Sequence, residues 1–373
     1  MAQLIIGGKQ DGAQALAPVK GETFHIPSLD GVRALSFGVV FLSHAGVDAV
    51  PGGFGVTVFF FLSGFLITSL MRREAEQTSQ VSLKNFYIRR ALRILPPFYL
   101  VLGLSVALSA LGLTDGSFKG RALLAQALHY ANYWIALHGF DGFPAGTGVY
   151  WSLAVEEHFY LLFPWLFLAF QRLGATRSAQ SKALLGLCAL LLLWRCVLVF
   201  GLHVSSDRVF VASDTRFDSI IFGCALAIGE NPVFDKSAIS ESVWKRALFP
   251  LGLVALLATF AIRNPAFRDT VRYTIQGAAL VPVFVCAMRY PGWLPMRPLN
   301  LAAVGYVGLL SYTLYLVHQV MLAFVSHLAP RLGLIPRGAA ALGLSLVVAF
   351  AMYELVEKPC ARLRRRLHAQ SAH

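Results

Sequence analysis

The sequence predicts an all-α, polytopic transmembrane helical bundle of about ten spans, with both termini in the cytoplasm. Three observations support this fold class. The 373-residue chain is 57% hydrophobic and only 14% charged, whereas soluble globular proteins carry about 25% charged residues. The apolar residues lie in runs long enough to cross a bilayer, which takes roughly 20 residues each. The basic residues are concentrated in the short segments between these runs, where they set the orientation of membrane proteins.

Ten apolar runs are interpreted as membrane spans. They cover residues 31–50, 54–71, 95–113, 150–170, 183–203, 214–230, 246–262, 272–289, 301–325 and 338–357. An eleventh run, 121–138, is less apolar because Gln126, His129 and Asn132 lie inside it. We expect that segment to form a short helix that lies at the surface or dips into the bundle.

The net charge of +13 is interpreted as an orientation signal. With the N-terminus in the cytoplasm and ten alternating spans, the cytoplasmic segments hold 21 Lys and Arg residues and the outside segments hold 8. Cytoplasmic loops of membrane proteins carry such an excess. The surface left outside the spans is too small for a nucleic-acid-binding domain, so no nucleic-acid partner is expected.

The chain is predicted to form one membrane domain with two flanking segments. We expect a cytoplasmic N-terminal segment at 1–27, a transmembrane domain at 28–359 and a basic cytoplasmic tail at 360–373. Residues 1–27 lack the hydrophobic core and cleavage site of a secretory signal, so no cleavable signal is expected. The five cysteines form no Cys-x-x-Cys pair, and neither a disulfide framework nor a metal site is expected.

The first span carries an arginine and a histidine on one face. Arg33 and His44 are eleven positions apart, which on a helix returns to nearly the same face after a rise of about 16 Å. Asp30, three residues before Arg33, can pair with it. An ionisable side chain inside a span is costly and indicates function. The alternative is that Arg33 extends to the membrane interface and His44 simply ends the span.

A second basic cluster precedes the third span. Arg90 and Arg93 are three positions apart and share a face if this segment is helical. The planar guanidinium group is well suited to binding phosphate. The alternative is that these arginines only anchor the span on its cytoplasmic side.

The fourth span opens with two adjacent carboxylates among aromatic residues. Glu156 and Glu157 follow Trp151 and Ser152, and His158 comes next. Adjacent helical residues point about 100° apart, so the two glutamates cannot have the same role. We expect one to orient a catalytic group and the other to contact a hydroxylated acceptor.

Two further spans carry polar clusters. The sixth opens with Asp214, Arg216 and Asp218, which either bind substrate or form a local salt-bridge cluster that seals the outer rim. In the ninth, polar residues recur at steps of three and four on an otherwise apolar helix: Ser311, Tyr312, Tyr315 and His318.

Taken together, these segments resemble the acyltransferase-3 family of bacterial integral-membrane O-acyltransferases. The resemblance runs from about Ile26 to Pro359. It is carried by the segments LDGVRALSFGVVFLSHAG (29–46), GGFGVTVFFFLSGFLIT (52–68), FYIRRALRILPPFY (86–99), WSLAVEEHFYLLFP (151–164), DTRFDSIIFGCALA (214–227) and SYTLYLVHQ (311–319). The family's arginine–histidine signature falls on Arg33 and His44, and its paired arginines fall on Arg90 and Arg93.

The resemblance implies an enzyme of the bacterial inner membrane. Such an enzyme moves an acyl group, usually acetyl, from acyl-CoA to a sugar hydroxyl of a surface polysaccharide, lipopolysaccharide, lipid-linked glycan or glycosylated small molecule. Acyl-CoA is then a co-substrate, no cofactor is permanently bound, and membrane lipid and glycan-assembly proteins are expected partners. We expect His44 to be the general base, with Glu156 or Glu157 orienting it and Arg33, Arg90 and Arg93 binding the donor. The expected substrate-binding residues are Trp151, Ser152, Asp214, Arg216, Asp218, Tyr312 and His318.

The sequence departs from the family at two positions. Many members have Asp where Thr57 stands, and many have Gln where His158 stands, so His158 is a second candidate base. Two other function classes compete with the enzyme: a transporter or flippase for lipid-linked sugars, and a non-catalytic partner in glycan assembly. Consumption of acyl-CoA by the purified protein discriminates the enzyme from both.

The distribution of basic residues predicts the topology. A reporter fused after His373 should lie in the cytoplasm, and one inserted near Gly142 should lie outside. Protease accessibility or a compartment-sensitive reporter enzyme measures both positions. If both reporters indicate the same side of the membrane, the ten-span topology is wrong.

Overall fold

A computed structural model describes residues 26–370, apart from the side chains of Pro27 and of residues 367–370. This part of the chain is helical and contains no strand. The helices are α1 (Pro27–His44), α2 (Gly52–Thr78), α3 (Leu83–Ala110), α4 (Gly120–Ala127), α5 (Ala131–His138), α6 (Trp151–Arg172), α7 (Arg177–Cys196), α8 (Ser206–Val211), α9 (Ser213–Gly229), α10 (Glu241–Val243), α11 (Phe249–Ala261), α12 (Pro265–Asp269), α13 (Val271–Arg289), α14 (Ala302–Leu328), α15 (Leu334–Met352) and α16 (Lys358–Gln370). The predicted N-terminal segment 1–27 lies outside the described residues except for its last two.

Within residues 26–370, eight helices are long and apolar enough to cross a membrane, which supports a multi-pass membrane protein. They correspond to eight of the ten predicted spans. The other two predicted spans are also helices, α1 and α9, but α9 has only 17 residues and α1 carries Asp30 and Arg33. Both pack between other helices, α1 against α2 and α14, and α9 against α2 and α7. Because neighbouring helices shield them from lipid, they tolerate polar residues, and the ten-span topology stays a prediction.

Several predicted boundaries shift for identifiable reasons. The first span was expected to continue to residue 50, but α1 ends at His44 because the chain then turns through Gly46, whose φ is 101°, toward Pro51. The third span was expected to begin at residue 95, but α3 begins at Leu83. The Ser82 side chain accepts a hydrogen bond from the Asn85 amide and caps this helix. Arg90 and Arg93 therefore lie inside a helix.

The polar run 121–138 forms two short helices, α4 and α5, that are packed into the bundle. The Gln126 amide donates to the Thr147 carbonyl oxygen at 2.8 Å, and the Asn132 amide donates to Ser213 Oγ at 2.9 Å. Both side chains are buried. The Gln126 side chain and the side-chain NH₂ group of Asn132 are thus paired inside the protein, as the expected dipping helix requires, whereas Oδ1 of Asn132 has no hydrogen-bond partner among the described residues.

Two close helix crossings fix the centre of the bundle. At the crossing of α2 and α9, a Cβ atom on Gly223 would lie 2.0 Å from the carbonyl oxygen of Phe61. At the crossing of α1 and α14, a Cβ atom on Gly308 would lie 1.9 Å from the carbonyl oxygen of Asp30. Small residues let helix backbones approach this closely in membranes. The second crossing holds the face of α1 that carries Asp30 against α14.

An ion-pair cluster around Asp235 ties together the ends of several helices. Arg72 of α2 donates to both Asp235 carboxylate oxygens, at 2.7 Å and 2.6 Å, and Arg177 of α7 donates to one of them at 2.9 Å. The backbone amide of Asn231 donates to the same carboxylate at 2.8 Å. Although partial burial by itself raises the pKa of Asp235, these hydrogen bonds hold that pKa down at about 2.

The C-terminal segment does not separate from the membrane domain at residue 359. A π-helical turn at Tyr353–Glu357 connects α15 to α16, and α16 packs against α3. The segment predicted as a tail is therefore helical as far as Gln370 and contacts α3, while the division into domains and the cytoplasmic location stay predictions.

Replacing Asp235 with alanine should destabilise the folded protein. Removing Asp235 from this mostly buried ion pair leaves Arg72 with only the exposed carboxylate of Glu76 as a counter-charge, which costs up to roughly 3 kcal/mol. Because the pKa of Asp235 is lowered on folding, its contribution should be complete above its ordinary pKa of 3.8 and fall away as the pH drops toward about 2. Thermal unfolding of the purified protein measures both effects.

The matched control is Asp141→Ala, which removes a carboxylate from an exposed loop. That variant should unfold like the unmodified protein. An Asp235→Ala variant as stable as Asp141→Ala would contradict the structural role of the cluster.

Candidate functional site

A cavity of about 110 Å³ lies between α1, α2, α3, α6 and α14. Three cations line it, Arg33 from α1 and Arg90 and Arg93 from α3. The structure thus brings all three predicted donor-binding arginines to one place. Because a cavity lined by guanidinium groups favours an anionic ligand, this arrangement fits a phosphate-bearing molecule.

The three arginines are held in different ways. Arg33 forms the expected salt bridge with Asp30 one turn earlier. The Arg90 guanidinium lies over the ring of Tyr160, 4.7 Å from its centre, and this contact fixes its direction. Arg93 is exposed at the cavity and forms no salt bridge among residues 26–370. Arg93 is therefore free to bind an anion that enters from water.

The two glutamates have different surroundings, as their 100° separation predicts. Glu156 lines the cavity and accepts a hydrogen bond from the Tyr160 hydroxyl at 3.2 Å; that hydroxyl also bonds to Ser63. Oε1 of Glu157 is buried without a hydrogen-bond partner in the described part of the chain. Neither carboxylate is hydrogen-bonded to His44 there, so the expected orienting contact is absent.

The orienting partner of His44 is a second histidine. His44 Nδ1 lies 2.9 Å from Nε2 of His318 on α14, and the two rings are stacked with centroids 5.1 Å apart. Nδ1 of His318 lies 2.7 Å from the carbonyl oxygen of Tyr315. His318 was expected to bind substrate, but it is completely buried and contacts His44.

This geometry sets the tautomer of both rings. A carbonyl oxygen can only accept, so His318 Nδ1 carries the proton and His318 Nε2 is an acceptor. His44 must then donate from Nδ1, which leaves Nε2 of His44 with an unshared electron pair. His44 is exposed at the end of α1. The arrangement therefore presents a neutral imidazole with its basic nitrogen available.

Tyr315 and Ser152 lie between the cavity and the histidine pair. Their hydroxyl oxygens are 2.6 Å apart, and the Tyr315 hydroxyl also donates to the Val149 carbonyl at 3.1 Å. Both residues line the cavity, while the Tyr315 ring packs against His318 with centroids 5.7 Å apart. The sequence interpretation recognised the polar stripe that contains Tyr315 but did not assign Tyr315 a role.

Ser63 and Tyr160 were also missed by the sequence interpretation. Ser63 is one of four hydroxyl residues in an apolar span, so its position alone gives no signal. Tyr160 follows Glu156 by four positions, so helical spacing could have placed the two side chains together.

The predicted cluster on α9 separates into three different environments. Asp214 accepts a hydrogen bond from Arg208 at 2.6 Å, and Asp218 pairs with Arg195 at 2.7 Å. Arg216 donates to Thr57 Oγ1 at 3.0 Å. The sequence also allowed a salt-bridge cluster formed by these three residues. In the structure, each of the three side chains instead pairs with a residue outside this group.

Arg216 is enclosed by aromatic rings and is completely buried. Its guanidinium lies 4.1 Å from the ring centre of Tyr273 and 5.6 Å from that of Trp151. At this position the partner of the arginine is the Thr57 hydroxyl, and no salt bridge of Arg216 is present among the described residues. Trp151 and Arg216 lie behind the cavity wall, while Tyr312 lines the cavity and donates to the Ile94 carbonyl at 2.9 Å.

His158, the alternative base, is engaged elsewhere. Its Nδ1 lies 2.7 Å from Ser213 Oγ, and its ring stacks on Tyr133 with centroids 5.8 Å apart. These contacts connect α6 to α5 and α9. His158 therefore lies in a different contact network from the one formed by His44 and His318.

A helical membrane bundle with an arginine-lined cavity and an exposed histidine at a helix end is compatible with a membrane-embedded transferase. Residues 26–354 match the acyltransferase-3 family, described as an acyltransferase domain. The chain belongs to this family, which confirms the resemblance found in the sequence.

Relatives of the chain are named as O-acetyltransferases. The chain is 28% identical over 315 residues to the peptidoglycan O-acetyltransferase OatA of Listeria monocytogenes, covering 81% of this chain and 50% of that protein. It is 27% identical over 318 residues to the O-acetyltransferase OatA of Staphylococcus aureus strain NCTC 8325, covering 81% of this chain and 51% of that protein. The chain thus spans about half the length of these curated relatives. No solved structure matches the chain.

The histidine pair predicts a specific protonation pattern. In ¹⁵N NMR spectra of the histidine-labelled protein near neutral pH, both His44 and His318 should carry their proton on Nδ1. In a His318→Phe variant, His44 loses the acceptor that holds this proton, and the Nε2–H form should gain population. A His203→Gln variant, which changes an exposed histidine, should leave the His44 signals unchanged. A His44 ring protonated on Nε2 in the unmodified protein would contradict the arrangement.

Proposed function

We propose that this protein is an O-acyltransferase that moves an acyl group, most simply acetyl, from acyl-CoA to a sugar hydroxyl of a glycan. The observation that carries this proposal is the His44–His318 pair, which leaves His44 Nε2 unprotonated and exposed beside an arginine-lined cavity. The family membership supports acyl transfer, and the names of the relatives support an acetyl group. The donor, the acceptor and the role of each residue are parts of the proposal.

His44 acts as the general base. The hydrogen bond to His318 favours the neutral tautomer with Nε2 unprotonated, and proton transfer to a positioned base of this kind accelerates attack. Nε2 takes the proton of the acceptor hydroxyl while the hydroxyl oxygen forms a bond to the thioester carbonyl carbon. The carbon–sulfur bond then breaks, the CoA thiolate leaves, and the imidazolium returns its proton to the sulfur.

The donor occupies the cavity. Its phosphates lie against Arg90 and Arg93, with Arg33 deeper, and its pantetheine arm runs toward the Ser152–Tyr315 pair. Because Tyr315 separates the cavity from His318, the thioester reaches His44 when the Tyr315 side chain moves aside. The distance suits an extended arm, since Arg33 and His44 are about 16 Å apart along α1.

The glutamates serve the donor site in this proposal. Glu156 accepts a hydrogen bond from the Tyr160 hydroxyl, and the Arg90 guanidinium lies over the Tyr160 ring. Through Tyr160, Glu156 therefore positions the guanidinium that binds phosphate. This replaces its expected role beside His44, which His318 fills. Glu157 has no contact that assigns it a role, and its catalytic part stays a prediction.

The acceptor is a glycan or glycolipid that approaches the exposed end of α1. The relatives include an enzyme named for peptidoglycan, and a surface polysaccharide, lipopolysaccharide, lipid-linked glycan or glycosylated small molecule offers the same reacting hydroxyl. A bacterial inner membrane gives access to acyl-CoA on one face and to such glycans on the other. Glycan-assembly proteins are the expected protein partners.

A transporter or flippase for lipid-linked sugars is the second candidate, favoured by the charges buried within the bundle. Purified protein in nanodiscs, supplied with acetyl-CoA and a glycan acceptor, discriminates the two. The enzyme releases CoA in step with acetylated glycan, detected by mass spectrometry. A protein that moves the glycolipid without releasing CoA would contradict the proposed transfer.

His44→Ala should abolish transfer while leaving the protein folded and inserted. Removing a general base lowers the rate by roughly 10² to 10⁴, and packing should tolerate the change because His44 lies at the exposed helix end. The rate of CoA release measures the effect. His158→Ala is the matched control, because it removes a histidine from a different contact network. If His44→Ala keeps near-normal activity while His158→Ala is inactive, His158 is the base.

A further inference from the structure

The C-terminal helix α16 places one arginine beside the donor cavity. α16 packs against α3, the helix that carries Arg90 and Arg93. On α16, Arg364 is half-buried, whereas Arg362, two positions earlier on the opposite side of the helix, is exposed. Arg364 therefore faces the protein, and Arg362 faces away from it.

Arg364 lies on the helix that packs against the arginine-bearing helix α3. Its half-buried guanidinium is repelled by the charges of Arg93 and Arg90. Among residues 26–370, Arg364 forms no salt bridge. The nearby carboxylate of Glu357 accepts a hydrogen bond from Thr313 at 2.5 Å and is attracted to Arg93. Like charges kept together in this way are unfavourable until an anion binds among them.

We propose that Arg364 binds the 3′-phosphate of the adenosine end of acyl-CoA, an inference that rests on the proposed function. Arg90 and Arg93 line the cavity and take the diphosphate. Arg364 lies outside the cavity lining, on the helix that packs against the one carrying these two arginines. In acyl-CoA the 3′-phosphate is the phosphate farthest from the thioester. When the diphosphate binds Arg90 and Arg93, the 3′-phosphate therefore extends out of the cavity toward α16, where Arg364 supplies a further cation.

The site is not part of the matched family domain, which ends at residue 354. The proposed contact between Arg364 and the 3′-phosphate therefore depends on where α16 packs in this chain. A phosphate can also come from an anionic lipid headgroup, because α16 is a basic helix attached to a membrane domain. The test must therefore separate the nucleotide from the lipid.

The experiment compares acetyl-CoA with 3′-dephospho-acetyl-CoA. Full-length protein is placed in nanodiscs of phosphatidylcholine, and the Kd for each compound is measured by isothermal titration calorimetry. The Arg364→Gln variant loses a charge-assisted phosphate contact, so its Kd for acetyl-CoA should rise about tenfold to a hundredfold. Binding of the dephospho compound should not change. Arg362→Gln should bind both compounds like the unmodified protein.

The outcomes separate this inference from the proposed function. If the unmodified protein binds acetyl-CoA and Arg364→Gln binds it equally well, or loses both compounds equally, the 3′-phosphate contact is wrong and the donor proposal stands. If the unmodified protein binds neither compound, the donor proposal fails and this inference fails with it. If Arg364→Gln changes the Kd for acetyl-CoA only after phosphatidylglycerol is added to the nanodiscs, Arg364 binds a lipid phosphate and the inference is overturned. Equal melting temperatures of the two variants show that folding does not account for a difference.

Discussion

The cost of placing a charged side chain inside a membrane organises this protein. A guanidinium group within the bundle needs oxygen or aromatic partners from its own chain, because lipid supplies none. Arg195 shows the solution most completely. It is fully buried and pairs with Asp218 at 2.7 Å, while its other nitrogens donate to the carbonyl oxygens of Thr215 and Thr270 at 2.7 Å and 3.0 Å. This arginine joins α7, α9 and the start of α13, and removing its carboxylate partner would leave an uncompensated buried charge.

The arginines at the cavity contrast with this pattern. Arg195 has a full set of partners, whereas Arg93 and Arg364 form no salt bridge within residues 26–370, and Arg90 rests on an aromatic ring. An arginine that holds helices together and the arginines proposed to bind the donor thus differ in what surrounds them. Arg216 falls between the two, since it is buried like Arg195 but has a threonine hydroxyl and aromatic rings in place of a carboxylate.

The same requirement for partners produces the reactive end of α1. A histidine buried in an apolar bundle must satisfy both ring nitrogens or leave a polar atom unpaired. His318 satisfies one with the Tyr315 carbonyl and the other with His44. The exposed ring of His44 is the end of this chain of hydrogen bonds. Burial of one histidine therefore fixes the proton position of the next, and the close crossing at Gly308 holds the two helices at the required separation.

The sequence by itself determined the features that depend on local periodicity. Apolar runs gave the helical class, the spacing of Arg33 and His44 placed them on one helix, and the spacing of Arg90 and Arg93 placed them on one face. Only the tertiary structure decided which side chains meet across helices. His44 and His318 are 274 positions apart, and no helical repeat relates them. The partners of Arg216 and Asp218 and the approach of Arg364 to α3 likewise depend on how helices pack. Periodicity specifies the face that a residue occupies, but the opposing face is set by the packing of the whole bundle.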